Sequence, residues 1–319
     1  MKTTLFATTE KKISSPIGYD KILDNISNLI TSNLFPNVNL ICSPLGSGKR
    51  LLCEYVATTL LNASSSPYSN ITSHPDLLVI DHNSGAAGKK EITIDETRKI
   101  QNFIHLTPSH ANCQIIIIDS VDMLNKNSAN NLLKTLEEPP INRYFLLICH
   151  NQDRVLDTIK SRCQKLHLPK LNKQSFYDIV NLNKPSEIDD SSLEVLYKIF
   201  PEQPGLAINF INSQGLIILE EVKKNIISNK FTEIKKFANQ YDWKDLQVFN
   251  IFFTTITYII YQNFMLCNQE NNAYNITKLH NISADLHNKF SNTINLNLDR
   301  KNFVINTISL INPYISQYE

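Results

Sequence analysis

Five short runs built on Ile, Leu and Val constrain this chain more than any other feature: Val38–Cys42, Leu77–Ile80, Gln114–Ile118, Tyr144–Cys149 and Gln164–Leu168. They lack the polar alternation of a strand with one wet face. Continuous apolar strands are expected where a parallel sheet is covered by helices on both sides. The intervals between the runs carry helical patterns. Ala129, Leu132, Leu133 and Leu136 recur at i, i+3, i+4 and i+7, Pro139-Pro140 ends that pattern, and the Asn and Ser residues before it suit a cap. The spacing therefore predicts one α/β domain with a parallel five-stranded sheet, given the bounds 1–168.

Beyond Pro169 the strand pattern stops. Ser175–Asn181, Ser191–Phe200 and Leu206–Asn212 read as short helices, broken by Pro201-Glu202-Gln203-Pro204-Gly205. This gives a small all-helical module over 169–215. Periodic apolar faces from Leu216 onward predict a larger all-α domain over 216–319, with loops near Asn229, Asn271 and Asn295.

Charge and cysteine usage exclude several function classes. The 31 basic and 30 acidic side chains leave a formal charge of +1, which rules out a free-standing, strongly basic nucleic-acid binder but not contact made inside an assembly. The six cysteines (Cys42, Cys53, Cys113, Cys149, Cys163 and Cys267) form no C-x-x-C pair, so neither a disulfide framework nor a Cys-only zinc site is expected, and a reducing compartment fits. Met1–Lys12 has no continuous apolar core of a signal peptide. Gln247–Gln269 has no charged residue, yet Asn250, Thr254, Thr255, Thr257, Gln262 and Asn263 interrupt it, so it is expected to be a buried helix and not a membrane span.

The chemistry-bearing residues follow the first, third and fourth runs and precede the fifth. Val38–Cys42 leads into Ser43-Pro44-Leu45-Gly46-Ser47-Gly48-Lys49-Arg50 and then a helical stretch. A strand, glycine loop and helix in this order aim backbone N–H groups at phosphates, with the Lys at the β/γ-phosphates and a Ser or Thr hydroxyl on Mg²⁺. Gly46, Gly48 and Lys49 keep the pattern. Ser43 replaces its first Gly, and Arg50 replaces the hydroxyl. An arginine offers donors and positive charge only, so it does not ligate Mg²⁺. Such a loop is expected to bind ATP weakly or not at all.

Ile115–Ile118 ends in Asp119-Ser120-Val121-Asp122. A hydrophobic strand ending in Asp is the Walker B pattern, in which the carboxylate helps hold Mg²⁺. In active ATPases of this layout a Glu follows and polarises the attacking water. Ser120 stands there, and its neutral hydroxyl is a poor base at pH 7. Asp122 reads as a structural cap, Lys134 as a solvated lysine, and His150-Asn151 fall where a polar sensor group would sit after the fourth strand. Arg162, before the fifth run, is either a solvated charge or an arginine finger placed in a neighbour's nucleotide site.

Several stretches together resemble the bacterial clamp-loader AAA+ subunits of DNA polymerase III. They are Asn127–Pro140, Ser161-Arg162-Cys163, the entry Leu34–Leu40, Ser73-His74-Pro75-Asp76, Ile94–Arg98 and Leu106-Thr107-Pro108. The C-terminal half matches only in helical character and in Asn297-Leu298-Asp299-Arg300. The resemblance implies an AAA+ P-loop domain, a helical lid and a helical collar that joins subunits into a ring. Arg50, Ser120 and Gly205, the last near the place of a sensor-2 Arg, favour the non-hydrolysing member over the gamma/tau ATPases, with an active gamma/tau-type ATPase as the alternative. An unrelated P-loop enzyme, such as a small-molecule kinase, is opposed by the Leu132–Pro140 stretch.

For a non-hydrolysing member, the resemblance implies Arg162 acting in trans as the catalytic finger, beside a degenerate nucleotide site of Gly46, Gly48, Lys49, Arg50, Asp119 and Ser120. It implies gamma/tau and delta subunits as partners, with the sliding clamp and primer-template DNA reached through the complex. No activity is expected of the chain alone, only as part of the polymerase holoenzyme in the cytoplasm, with no membrane and no required cofactor. Family members often carry a four-Cys zinc module between the P-loop helix and the second strand. The interval 62–72 has no Cys, so no zinc is expected.

Overall fold

The computed structural model describes residues 16–61, 71–81, 91–184, 188–228, 230–269 and 272–315. Packing divides the chain into two compact units, Met1–Ile179 with Glu202–Gly205, and Val180–Pro201 with Leu206–Glu319. Residues 169–215, expected as one module, are thus shared between them.

The first unit runs α1 (Asp20–Thr31), β1 (Val38–Cys42), α2 (Lys49–Leu60), β2 (Leu77–Ile80), α3 (Ile94–Ile104), β3 (Gln114–Ile118), α4 (Lys126–Glu137), β4 (Arg143–Cys149), α5 (Asp157–Lys160) and β5 (Gln164–His167). The strands form one sheet in the order β2-β3-β4-β1-β5, and every neighbouring pair is parallel. The register sets Cys42 opposite Cys149 and Ile118 opposite Leu147, so the strands end together on one side. In an open parallel sheet the loops at these carboxyl ends form the ligand crevice.

Helices cover both faces. Ile115 and Ile117 pack with Leu52, Val56 and Leu146 on one face, while Ile116 and Ile118 pack with Ile100, Leu132 and Leu147 on the other. Ile115–Ile118 are wholly buried. Each such side chain contributes about 1.5–3 kcal/mol of transfer free energy, which explains the absence of alternation in the sequence. The fifth strand departs from that expectation. Gln164, Lys165 and His167 are exposed because β5 is a sheet edge with β1 as its one partner. Helix starts are set by local chemistry. Asn125 caps α4 by accepting the Ser128 N–H at 2.9 Å, and Thr93 with Glu96 forms a capping box on α3. Asp76, fully buried before β2, accepts the backbone N–H groups of Ser109, His110 and Ala111 at 2.6–2.8 Å and so pins the loop into β3.

Helix α6 (Lys173–Asn183) follows β5, and the second unit is helical throughout its described residues: α7 (Asp190–Ile199), α8 (Pro204–Asn212, whose first two residues belong to the first unit), α9 (Gly215–Ser228), α10 (Phe231–Gln240), α11 (Leu246–Gln269), α12 (Ala273–Asn295) and α13 (Arg300–Ile315). The uncharged stretch expected to be a buried helix is α11, which packs against α9, α12 and α13. Among the described residues no helix is long and apolar enough to cross a membrane. Phe253 stacks on Phe290 of α12 with ring centroids 3.8 Å apart. Trp243 is buried, donates its indole N–H to Ala238 O at 2.8 Å, and meets Phe252 edge-on. Arg300 donates to the carbonyl of Lys244 at 2.6 Å and lies over the Phe249 ring, which ties the start of α13 to the turn before α11.

Candidate functional site

The crevice at the carboxyl ends of β1, β3 and β4 collects the residues that the motifs single out. After Cys42 the chain turns through Ser43–Gly48 into α2. Gly48 is the N-cap of α2 and has φ 91°, a conformation natural only to glycine. A Cβ there would meet nothing nearer than Tyr19 Cε2 at 3.9 Å, so backbone conformation and not space demands the glycine.

The loop's groups are turned onto their own surroundings. Lys49 is buried, and its ammonium donates to Ser43 O and Pro44 O, both at 2.6 Å. Burial pulls the Lys49 pKa down to about 8, against the opposing pull of nearby acidic groups including Asp119 and Asp122. Tyr19 donates its hydroxyl to Ser47 O at 2.7 Å, and burial raises its pKa to about 12. The Gly205 N–H donates to Gly46 O at 2.9 Å, and a Cβ at 205 would stand 3.0 Å from that oxygen. Glycine at this place is a matter of close approach.

Arg50 lies between two carboxylates. Its Nε donates to Glu54 Oε1 at 2.8 Å, one helical turn along α2, and its Nη1 lies 3.3 Å from Asp119 Oδ2 at the end of β3. The other Asp119 oxygen is 3.8 Å from His150 Nε2. Asp122 accepts the His150 backbone N–H at 3.1 Å, and so fastens the end of β4 to the turn after β3, a structural tie in place of the cap expected of it. Ser120 is buried with φ 72°, and its carbonyl accepts the Met123 N–H at 2.8 Å. The structure thus brings Gly46, Gly48, Lys49, Arg50, Asp119 and Ser120 to one crevice. This donor set fits a magnesium nucleotide poorly. A guanidinium engages the carboxylate that would ligate the metal, the first turn of α2 offers no hydroxyl in its place, and no carboxylate follows Asp119 to act as a base.

Arg162 lies apart from this crevice, between α5 and β5. Its Nη1 donates to Thr158 O at 2.7 Å and lies 3.4 Å from Ser161 Oγ, and its Nη2 pairs with Glu137 Oε1 at the end of α4. The guanidinium is at the surface, with 29% of the side chain exposed, and is held by its own chain. Lys134 on α4 is exposed. Sequence reasoning missed four partners, one of them Glu54, one turn after Arg50 on α2. Tyr19 and the Gly205–Gly46 contact left no local signal. Glu137 left a weak one, since an acidic residue closing a helix opposes the dipole. The expectation of no zinc falls mostly on residues 62–70, which lie outside the described residues. Among the described residues no group of three or more His, Cys, Asp or Glu side chains is placed to hold a metal.

A five-stranded parallel sheet in this order, carrying a glycine loop after β1, next to the edge strand β5, and an Asp at the end of β3, defines a P-loop AAA+ module. Consistent with that fold, a gamma subunit-related protein of DNA polymerase III from Thermotoga maritima superposes with a TM-score of 0.56 at 16% identity, covering 92% of this chain and 99% of that one. Residues 18–172 match the family described as "DNA polymerase III, delta subunit". The delta' subunit of Pseudomonas aeruginosa is 29% identical over 180 residues, 53% of this chain and 49% of that protein. The delta' subunit of Buchnera aphidicola from Schizaphis graminum is 36% identical over 143 residues, 44% of this chain and 42% of that protein. The gamma subunit from the same source is 31% identical over 192 residues, 56% and 52% respectively. The chain spans about half the length of the curated relatives it matches.

Proposed function

We propose that this chain is the delta-prime type of clamp-loader subunit, which turns over no nucleotide of its own and lends Arg162 to the ATP site of an adjacent gamma/tau subunit. The observation that carries the reading is the Arg50 guanidinium on Asp119, where a working site would place its metal. The neutral Ser120 and the engaged Lys49 point the same way. In an assembly with gamma/tau and delta subunits in the cytoplasm, the module acts as a fixed template beside the motor. Arg162 then stabilises charge on the transferred phosphoryl group, an effect of roughly 10³–10⁵ in rate for arginine fingers. The work done is loading of the sliding clamp onto primer-template DNA.

A gamma/tau-type ATPase is the second reading, favoured by the retained Lys49 and Asp119 and by gamma relatives at similar identity. Reconstitution with gamma/tau and delta subunits separates the two. The isolated chain is expected to show no ATPase, and Arg162→Ala is expected to abolish most DNA-stimulated ATPase of the complex. Turnover by the chain alone would establish the second reading, and full activity with Arg162→Ala would remove the finger.

A further inference from the structure

The geometry points to Glu137 as the positioning residue for Arg162, a role that rests on the finger reading above. Glu137 is the last residue of α4, and its carboxylate meets the Arg162 Nη2 across the α4–α5 junction. A negative charge at a helix C-terminus opposes the helix dipole, so its own helix does not account for it. Neither does stability, because the side chains are 46% and 29% exposed and such pairs contribute little.

The pair does account for direction. An arginine side chain has several free torsions, and an untethered guanidinium samples many of them. Here two anchors act at once. Nη1 caps the carbonyl of Thr158 at 2.7 Å, and Nη2 is drawn to Glu137. With the covalent stem at Nε as the third fixed point, these two anchors define the orientation of the guanidinium plane. Of the five guanidinium N–H donors, three are engaged by Thr158, Ser161 and Glu137, and the Nε–H is buried out of reach of an incoming group. The second Nη2 hydrogen is left for an anionic oxygen arriving from outside the chain. Glu137 touches no substrate in this scheme. It keeps the plane in place, so the neighbour's phosphoryl group meets a donor that needs no reorganisation.

The test uses the reconstituted clamp-loader complex with Glu137→Gln, Glu137→Asp, Arg162→Ala and the double variant Glu137→Gln/Arg162→Ala. DNA-stimulated ATPase is measured over a range of ATP concentrations. Glu137→Gln is expected to lower kcat roughly tenfold to a hundredfold with KM unchanged. Glu137→Asp should recover part of the loss, and the double variant should be no slower than Arg162→Ala alone. Full activity in Glu137→Gln beside a crippled Arg162→Ala would overturn the positioning role and leave the finger standing. Full activity in Arg162→Ala would instead remove the finger itself. A further loss in the double variant would show that Glu137 acts elsewhere. Independently of assembly, ¹⁵N-arginine NMR of the isolated chain should show hindered rotation about the Arg162 Nε–Cζ bond that Glu137→Asp retains. Free rotation in the wild-type chain would contradict the tether.

Discussion

Replacing Arg50 by threonine tests the nucleotide site most directly, because it restores the missing hydroxyl and removes the guanidinium in one step. The size of the effect follows from distance. Arg50 Nη1 is 3.3 Å from Asp119 Oδ2. A Mg²⁺ ion on that carboxylate would sit about 2.1 Å from its oxygen and therefore within about 5 Å of the guanidinium. One positive charge against a divalent ion at that range costs about 1.7 kcal/mol even in a water-like dielectric, and several times that at an effective dielectric of 20. The lower bound alone is more than tenfold in affinity. Arg50→Thr is therefore expected to bind ATP at least tenfold tighter in Mg²⁺ than the wild-type chain, with little difference in EDTA. Stability should change by no more than about 1 kcal/mol, because both ion pairs of Arg50 are partly exposed. Restoring the hydroxyl alone is not expected to produce hydrolysis, since Ser120 still stands where a base is required. The assay is titration of a fluorescent ATP analogue with and without the metal. Equal affinities in Mg²⁺ for the two proteins would refute the electrostatic account of the crevice.

Other expectations are simpler. Asp76→Asn turns an amide NH₂ toward backbone donors and should destabilise the first unit by roughly 2–4 kcal/mol in urea unfolding. Burial pushes the Asp76 carboxyl up, but its three backbone donors and His74 outweigh this and hold it below the usual carboxylate range. Its contribution is therefore full above about pH 4 and is lost as pH falls through the lowered folded value. Asp76→Asn should flatten that acid limb, and an unchanged limb would count against the assignment. Gly48→Ala forces an L-residue into a left-handed conformation and should cost about 1–2 kcal/mol by thermal unfolding despite the open space around it. Gly205→Arg should not create an ATPase, because its Cβ would press on Gly46 O, and steady-state hydrolysis checks this.

The sheet was legible because its cause is local. β1, β2 and β3 have the bounds that their apolar runs suggest, and Pro139-Pro140 follows the end of α4. The loop glycines and Asp119 were legible for the same reason, since each sits at a fixed offset from a strand end. The fifth run was misleading in one respect, since an edge strand needs fewer apolar residues than its neighbours and Lys165 faces water. What pattern alone does not supply is pairing across the fold. Arg50 and Asp119 are 69 positions apart, and Arg162 and Glu137 are 25 apart. Nothing in either neighbourhood names the other, because ion pairs depend on how helices are placed after the sheet has formed.

The chain has a single tryptophan, and it lies in the helical unit. Trp243 is walled in by Phe237, Tyr241 and Phe252, so its emission belongs to that unit alone. Excitation at 295 nm therefore follows the melting of one half of the molecule while the sheet half, which has tyrosines but no indole, stays dark. Comparing that signal with far-ultraviolet dichroism tells whether the halves come apart in one cooperative event or two, with no label and no mutation.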